Sequence, residues 1–191
     1  MKLTHLLVIC LALGTGACGS ADPSPIRADY DTQTGKLKTL TRDLNLDGRP
    51  DEWVYWDGAV AIRGEFDKDL DGKLDRWEYY KDGNVTKLIK VGTSVQKNGK
   101  EDAWAYSGPD GQVARVEISA KQNGKITRWE YYEAGKLVRA EEDTKGTGKP
   151  DKWETFTGGS LATLGFDSNG DGKVDRLLTY GPNGVTVSRP K

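Results

Sequence analysis

The sequence predicts an all-β fold: tandem β-hairpin repeats of about 24 residues, strung into a long antiparallel meander. Three observations carry this. Glycines at 48, 72, 99, 124, 148 and 172 recur 24, 27, 25, 24 and 24 residues apart. Five residues after each stands a large apolar side chain: Trp53, Trp77, Trp104, Trp129, Trp153 and Leu177. A second glycine follows the first by 10 to 12 residues, at Gly58, Gly83, Gly111, Gly135, Gly159 and Gly184. Three markers in step across six units define one supersecondary unit copied in series.

The array does not start at residue 1. Lys2 precedes an apolar run, residues 3–13 (LTHLLVICLAL), which is too short to span a bilayer and has the length of a secretory signal. Small residues follow, ending in Gly16-Ala17-Cys18. This stretch resembles the bacterial lipobox, although Thr15 stands where that family usually has Leu. The resemblance implies a leader over 1–17, cleavage before Cys18 and lipid attachment at Cys18. The competing reading is an ordinary cleaved signal with an incidental cysteine. Gly19, rather than Asp, in the next position implies the outer membrane of a Gram-negative envelope. Residues 18–29, with Pro23 and Pro25, read as the lipidated end and a flexible tether. The domain then covers 30–191.

Half a repeat opens the domain, since residues 30–37 (YDTQTGKL) match the hairpin 132–137 (YEAGKL). Each full unit supplies two strands. In residues 128–132 (RWEYY), alternation sets Trp129 and Tyr131 on one face, with Arg128 and Glu130 on the other. Trp53/Tyr55, Trp77/Tyr79 and Trp104/Tyr106 follow the same parity. Asp82-Gly83, Asp110-Gly111 and Asn183-Gly184 are hairpin-turn signals. Return strands are expected over 85–91, 112–119, 137–141, 161–165 and 185–188. That makes about thirteen strands and no helix. A sheet this long tends to curl or split, and an aromatic face calls for cover. The expectation is therefore an array curled on itself, barrel-like or superhelical.

Between units run nine-residue loops. Three carry a full acidic set: Asp43, Asn45, Asp47, Gly48, Arg49 and Asp51; Asp67, Asp69, Asp71, Gly72, Lys73 and Asp75; Asp167, Asn169, Asp171, Gly172, Lys173 and Asp175. Each fits D-x-[DN]-x-D-G-x-x-D. Oxygen ligands at positions 1, 3 and 5 can converge on Ca²⁺, with the backbone carbonyl of position 7 (Arg49, Lys73, Lys173) and the acid at position 9 completing the set. The competing reading is a plain turn, because Asp and Asn hydrogen-bond their own backbone. The loops at 94–102, 119–127 and 143–151 break the pattern and are not expected to hold an ion. Lys121 and Lys145 stand at position 3 in two of them.

The complete loops resemble EF-hand and dockerin loops in D-x-D-x-D-G, but strands flank them here and only Glu78 stands at position 12. They are more similar to the hairpin calcium loops of integrin-type FG-GAP repeats. The hairpin halves 77–85 (WEYYKDGNV) and 129–137 (WEYYEAGKL) resemble MORN-like repeats. These resemblances imply an ion and a hairpin architecture.

Composition narrows the function. Without Lys2 the processed chain has 27 basic and 29 acidic residues, so there is no basic excess for nucleic acid. It would hold no histidine, one acylated cysteine, and no G-x-S-x-G, phosphate loop or zinc set. The leading expectation is a non-enzymatic, membrane-anchored extracytoplasmic lipoprotein whose calcium-stiffened repeats form a structural or binding module for a protein or polysaccharide. The alternatives are a carbohydrate or envelope-polymer binder using exposed Trp and Tyr, and a glycosidase-like enzyme using paired carboxylates.

Overall fold

The computed structural model describes residues 25–190. The leader, Cys18 and the tether as far as residue 24 lie outside the described residues. The regular elements within them are fourteen strands: β1 (Ile26–Tyr30), β2 (Leu37–Arg42), β3 (Glu52–Asp57), β4 (Val60–Phe66), β5 (Arg76–Lys81), β6 (Asn84–Thr93), β7 (Ala103–Ser107), β8 (Val113–Ile118), β9 (Arg128–Glu133), β10 (Lys136–Glu142), β11 (Lys152–Thr157), β12 (Ser160–Phe166), β13 (Arg176–Gly181) and β14 (Gly184–Ser188). They form one sheet in chain order, every neighbour antiparallel. The extra strand is β1, upstream of the first strand read from the sequence.

The turns follow their residues. Asp82-Gly83 and Ala134-Gly135 both have positive φ at each central position, the two-residue turn whose twist suits a hairpin. At the β7–β8 turn only Gly111 is left-handed, and the loop widens to Gly108 through Gln112. Six of the seven hairpin ladders shift register at a bulge, the exception being β13–β14.

The expected curl does not occur. The sheet is open, with β1 and β14 at opposite ends, and close contact runs only between neighbouring strands apart from a small one between β4 and β6. The reason lies in the return strands. Directly opposed residues share a face, so one row across the sheet reads Trp53, Glu65, Trp77, Gly92, Trp104, Glu117, Trp129, Glu141, Trp153. The next row reads Tyr55, Arg63, Tyr79, Lys90, Tyr106, Arg115, Tyr131, Arg139. Aromatic rings therefore alternate with long charged side chains, whose stems cover them while the heads stay wet.

The contacts are specific. Lys90 Nζ lies 3.7 Å over the Tyr79 ring, and the Arg139 and Arg115 guanidinium carbons lie 3.8 and 4.5 Å over Tyr131 and Tyr106. Tyr55 and Tyr106 donate hydroxyl hydrogen bonds to Glu65 and Glu117 at 2.8 and 3.0 Å. Arg63, Arg115 and Arg139 pair with the glutamate two residues on. The aromatic face is thus covered by its own neighbours, and curling would bury the charges that cover it.

Buried apolar side chains are few and lie on both faces. Trp77 is buried in the aromatic row; Phe66, Tyr80, Ala103 and Ala140 are buried on the opposite face. There Gly64 leaves room for two rings, since a Cβ would come within 2.4 Å of the Tyr80 hydroxyl and 2.6 Å of the Phe66 ring. Farther along, Arg128 contacts Glu130, Glu142 and Glu154, and Lys152 contacts Glu142 and Glu154. Around β9 to β11 the sheet thus has a polar ladder on that face as well, and it stands as a single layer.

Candidate metal centre

A meander places every even-to-odd connection on the same edge of the sheet. The six nine-residue loops therefore follow one another along one edge, and the hairpin turns along the other. All six share one backbone path. Position 6 is a left-handed glycine throughout, with φ between +75° and +92°. Position 4 is left-handed as well: Leu46, Leu70, Lys97, Gln122, Gly146 and Gly170. The side chains at these positions differ widely, so the path belongs to the repeat and not to the acidic set.

Side-chain oxygens fold each loop inward. The position-1 acid accepts the amide of the position-6 glycine: Gly48 to Asp43 at 2.8 Å, and Gly72 to Asp67, Gly148 to Asp143 and Gly172 to Asp167 each at 2.7 Å. The position-5 side chain accepts the amide of position 7: Arg49 to Asp47 at 2.8 Å, with Lys73 to Asp71 and Lys173 to Asp171 at 2.9 Å. In the incomplete loops Asn98 and Asn123 accept in the same way, at 3.1 and 3.0 Å.

Position 9 anchors the start of the loop. Asp51 accepts from Leu44 at 2.7 Å, Asp75 from Lys68 and Asp69 at 2.8 and 3.1 Å, and Asp175 from Ser168 and Asn169 at 2.6 and 3.1 Å. Asp102 and Asp151 hold positions 2 and 3 of the incomplete loops identically. The acid expected to close an ion site is thus committed to the backbone in complete and incomplete loops alike.

Positions 1, 3 and 5 come together most fully in the second loop. Carboxylate oxygens of Asp67, Asp69 and Asp71 lie within 4.8 Å of one another, with Asp67 buried and the other two exposed. This group could hold a metal ion, and its donor set is all hard carboxylate oxygen, the chemistry Ca²⁺ takes. In the first and sixth loops the position-3 amide turns its NH₂ to the acids: Asn45 to Asp47 at 3.2 Å, and Asn169 to Asp171 and Asp175 at 3.4 and 3.2 Å. One oxygen of Asp43 is buried without a hydrogen bond.

Two lysines missing from the sequence-read set cross between loops. Lys97 at position 4 of the third loop donates to Asp69 of the second at 2.5 Å. That bond is the main cause holding the Asp69 carboxyl below, and the Lys97 ammonium above, their ordinary values. Lys145 donates to the backbone carbonyls of Asp167 and Ser168 at 2.9 and 3.4 Å. Burial would raise the Asp167 carboxyl, but amides of Gly172 and Gly170, with the Lys145 charge, hold it low. The visible signal was a lysine in an incomplete loop beside a complete one. Lys145 reads as repulsion within its own loop and Lys97 carries no reading there, yet each serves the neighbour.

An open cleft of about 360 Å³ lies between the first two loops, lined by Asp47, Arg49, Pro50, Trp53, Leu70 and Lys73, among others.

No family model matches the chain and no curated protein matches it. Among solved structures it is similar to a mutant of S. aureus TarM crystallised with Fondaparinux, alpha-GlcNAc-glycerol and UDP, at 16% identity and a TM-score of 0.40 over 54% of this chain. A second TarM structure gives 18% identity and 0.39 over 54%, and the complex of accessory secretory proteins 1, 2 and 3 from Streptococcus pneumoniae gives 15% and 0.33 over 66%. The chain spans only 19 to 21% of the length of those chains.

Proposed function

We propose that the protein is a lipid-anchored module of the bacterial cell envelope, held at Cys18, whose repeat sheet is stiffened by Ca²⁺ at its acidic loops and serves as a non-enzymatic structural or binding surface. The observation that carries this reading is the convergence of Asp67, Asp69 and Asp71 within 4.8 Å. Three carboxylates so close repel one another, and the ammoniums of Lys97 and Lys73, paired with Asp69 and Asp71, offset only part of that repulsion. A divalent ion there would be held by Asp67, Asp69 and Asp71 and would release the Lys97 ammonium. The loops centred on Asp47 and Asp171 would offer carboxylates and one amide oxygen once their asparagine amides turn. The ion supplies only charge and coordination. Tying the loop edge together is the work of the chain.

Calorimetric titration with CaCl₂ tests this, set beside Asp71→Ala. One to three sites, reduced by one in Asp71→Ala, support the reading. No binding heat at millimolar Ca²⁺ removes it.

A second reading is a carbohydrate module. The cleft beside Trp53 favours it, since a sugar ring packs on an aromatic face between polar side chains. Quenching of tryptophan fluorescence by envelope polysaccharide, lost in Trp53→Ala, is its expected signature.

A further inference from the structure

An open sheet has two outer edges, and these two are built differently. β1 carries Arg27 and Asp29 and shifts register between Asp29 and Tyr30. Charges and bulges are the devices by which natural edges resist pairing. β14 reads Gly184, Val185, Thr186, Val187, Ser188, with no charge and no proline, and its ladder with β13 is the one hairpin ladder without a shift. All five residues are exposed, with Val185 at 52% and Val187 at 63%. Among the described residues no strand pairs with its outer side.

We infer that β14 is a strand-addition edge whose occupant is β14 of a second copy of this chain, paired antiparallel about Thr186. The strand is self-complementary, because Val185-Thr186-Val187 reads the same in reverse. Centred on Thr186, the pairing sets Val185 opposite Val187 of the second copy, twice, and Thr186 opposite its own equivalent. Gly184 meets Ser188 and Arg189 meets Asn183, so no like charges face each other. Val187 and Val185 stand opposite Leu178 and Tyr180 in the β13–β14 ladder. These four side chains form an apolar strip on one face, and the second copy continues it with its own four. The match of register, charge and apolar strip is what selects a second copy over an unrelated peptide.

Symmetry gives a further reason. Pairing β14 with itself is isologous and closes at a dimer, whereas β14 on β1 is head-to-tail and would grow without limit. The charges and bulge of β1 oppose that second course. A five-residue strand buries less than the roughly 800 Å² per partner of a standard interface, so the dimer is weak in free solution.

The test is sedimentation equilibrium of the full chain in detergent, with Cys10 and Cys18 replaced by Ser, over a wide concentration range. A monomer–dimer equilibrium is expected, its dissociation constant raised about tenfold or more in Val187→Lys, which sets new charges at the two-fold interface. Circular dichroism checks that this exposed substitution leaves the sheet intact. In the same background, oxidised Thr186→Cys is expected to cross-link as a dimer, since opposed Cβ atoms in an antiparallel pair lie about 4.5–5.5 Å apart. Thr163→Cys, inside the sheet, is expected not to. A monomer at every concentration overturns the inference. So does a dimer that Val187→Lys leaves unchanged, or a ladder of higher oligomers, which would point to β14 on β1.

Discussion

Glu101 shows most directly how single residues hold this sheet. Where β4, β8 and β10 carry Arg-x-Glu, β6 carries Lys90-Val91-Gly92 and leaves a gap in the row. Glu101, from the adjoining loop, fills it. It accepts from the Tyr79 hydroxyl and from Trp104 Nε1, each at 2.7 Å, and a Cβ on Gly92 would come within 2.5 Å of its carboxylate. Glu101→Ala strands two part-buried donors and is expected to cost about 1–3 kcal/mol in urea unfolding. Burial, reinforced by the Glu101 bond, pushes the Tyr79 hydroxyl up to about 12. A phenol raised in the fold contributes stability fully below its unfolded value near 10, and that contribution is lost as pH rises through the folded value. Stability is therefore expected to decline between about pH 10 and 12, less steeply in Tyr79→Phe. The loop carboxylates act in the opposite direction. Asp69, Asp143 and Asp167 are lowered, so their contribution is present above the unfolded value of 3.8 and is lost as pH falls through the folded values. Acid unfolding monitored by circular dichroism is expected to begin below about pH 4.

At the scale of the element, loops and hairpins differ in how far the sequence disclosed them. The Trp and Tyr parity, the Asp82-Gly83 turn and the six loops were legible because each depends on local spacing. What was not legible was which residues of β4, β8 and β10 lie opposite the aromatics. Bulges such as those at Tyr55/Trp56 and Tyr106/Ser107 displace the register by one, and only the pairing shows that Arg63, Arg115 and Arg139 meet tyrosines. The expected curl rested on an uncovered aromatic face, and that register supplies the cover. Position 9 was legible as an acid but not as a backbone anchor, because its partners are amides, which every residue but proline possesses. The anchor and the ion role separate by mutation. Asp151→Ala, in a loop without the complete acidic set, is expected to lower stability by about 1–3 kcal/mol whether or not chelator is present. Asp71→Ala is expected to change stability mainly when Ca²⁺ is supplied.

For the whole molecule, stability is shared along a line. Strands touch little beyond their immediate neighbours, so each hairpin depends on the next, as in other repeat arrays. Hydrogen exchange is expected to be fastest in β13 and β14 and slowest around β3 to β5, where Trp77, Phe66 and Tyr80 are buried. A sheet one layer thick has little apolar burial in reserve, which makes any ion along its loop edge weigh heavily. At about 1 mM Ca²⁺ and a Kd of about 0.1 mM, an occupied site would add about 1.4 kcal/mol, and the three proposed sites together about 4. That is a large part of the roughly 5–15 kcal/mol that stabilises a domain. The most direct test is thermal melting of the protein in 1 mM CaCl₂ against chelator, with Asp71→Ala in parallel. The account predicts a Tm that falls by several degrees on chelation, by less in Asp71→Ala, and that recovers when the ion is restored. An identical Tm in both buffers would contradict it and leave the acidic loops as turns held by their own amides.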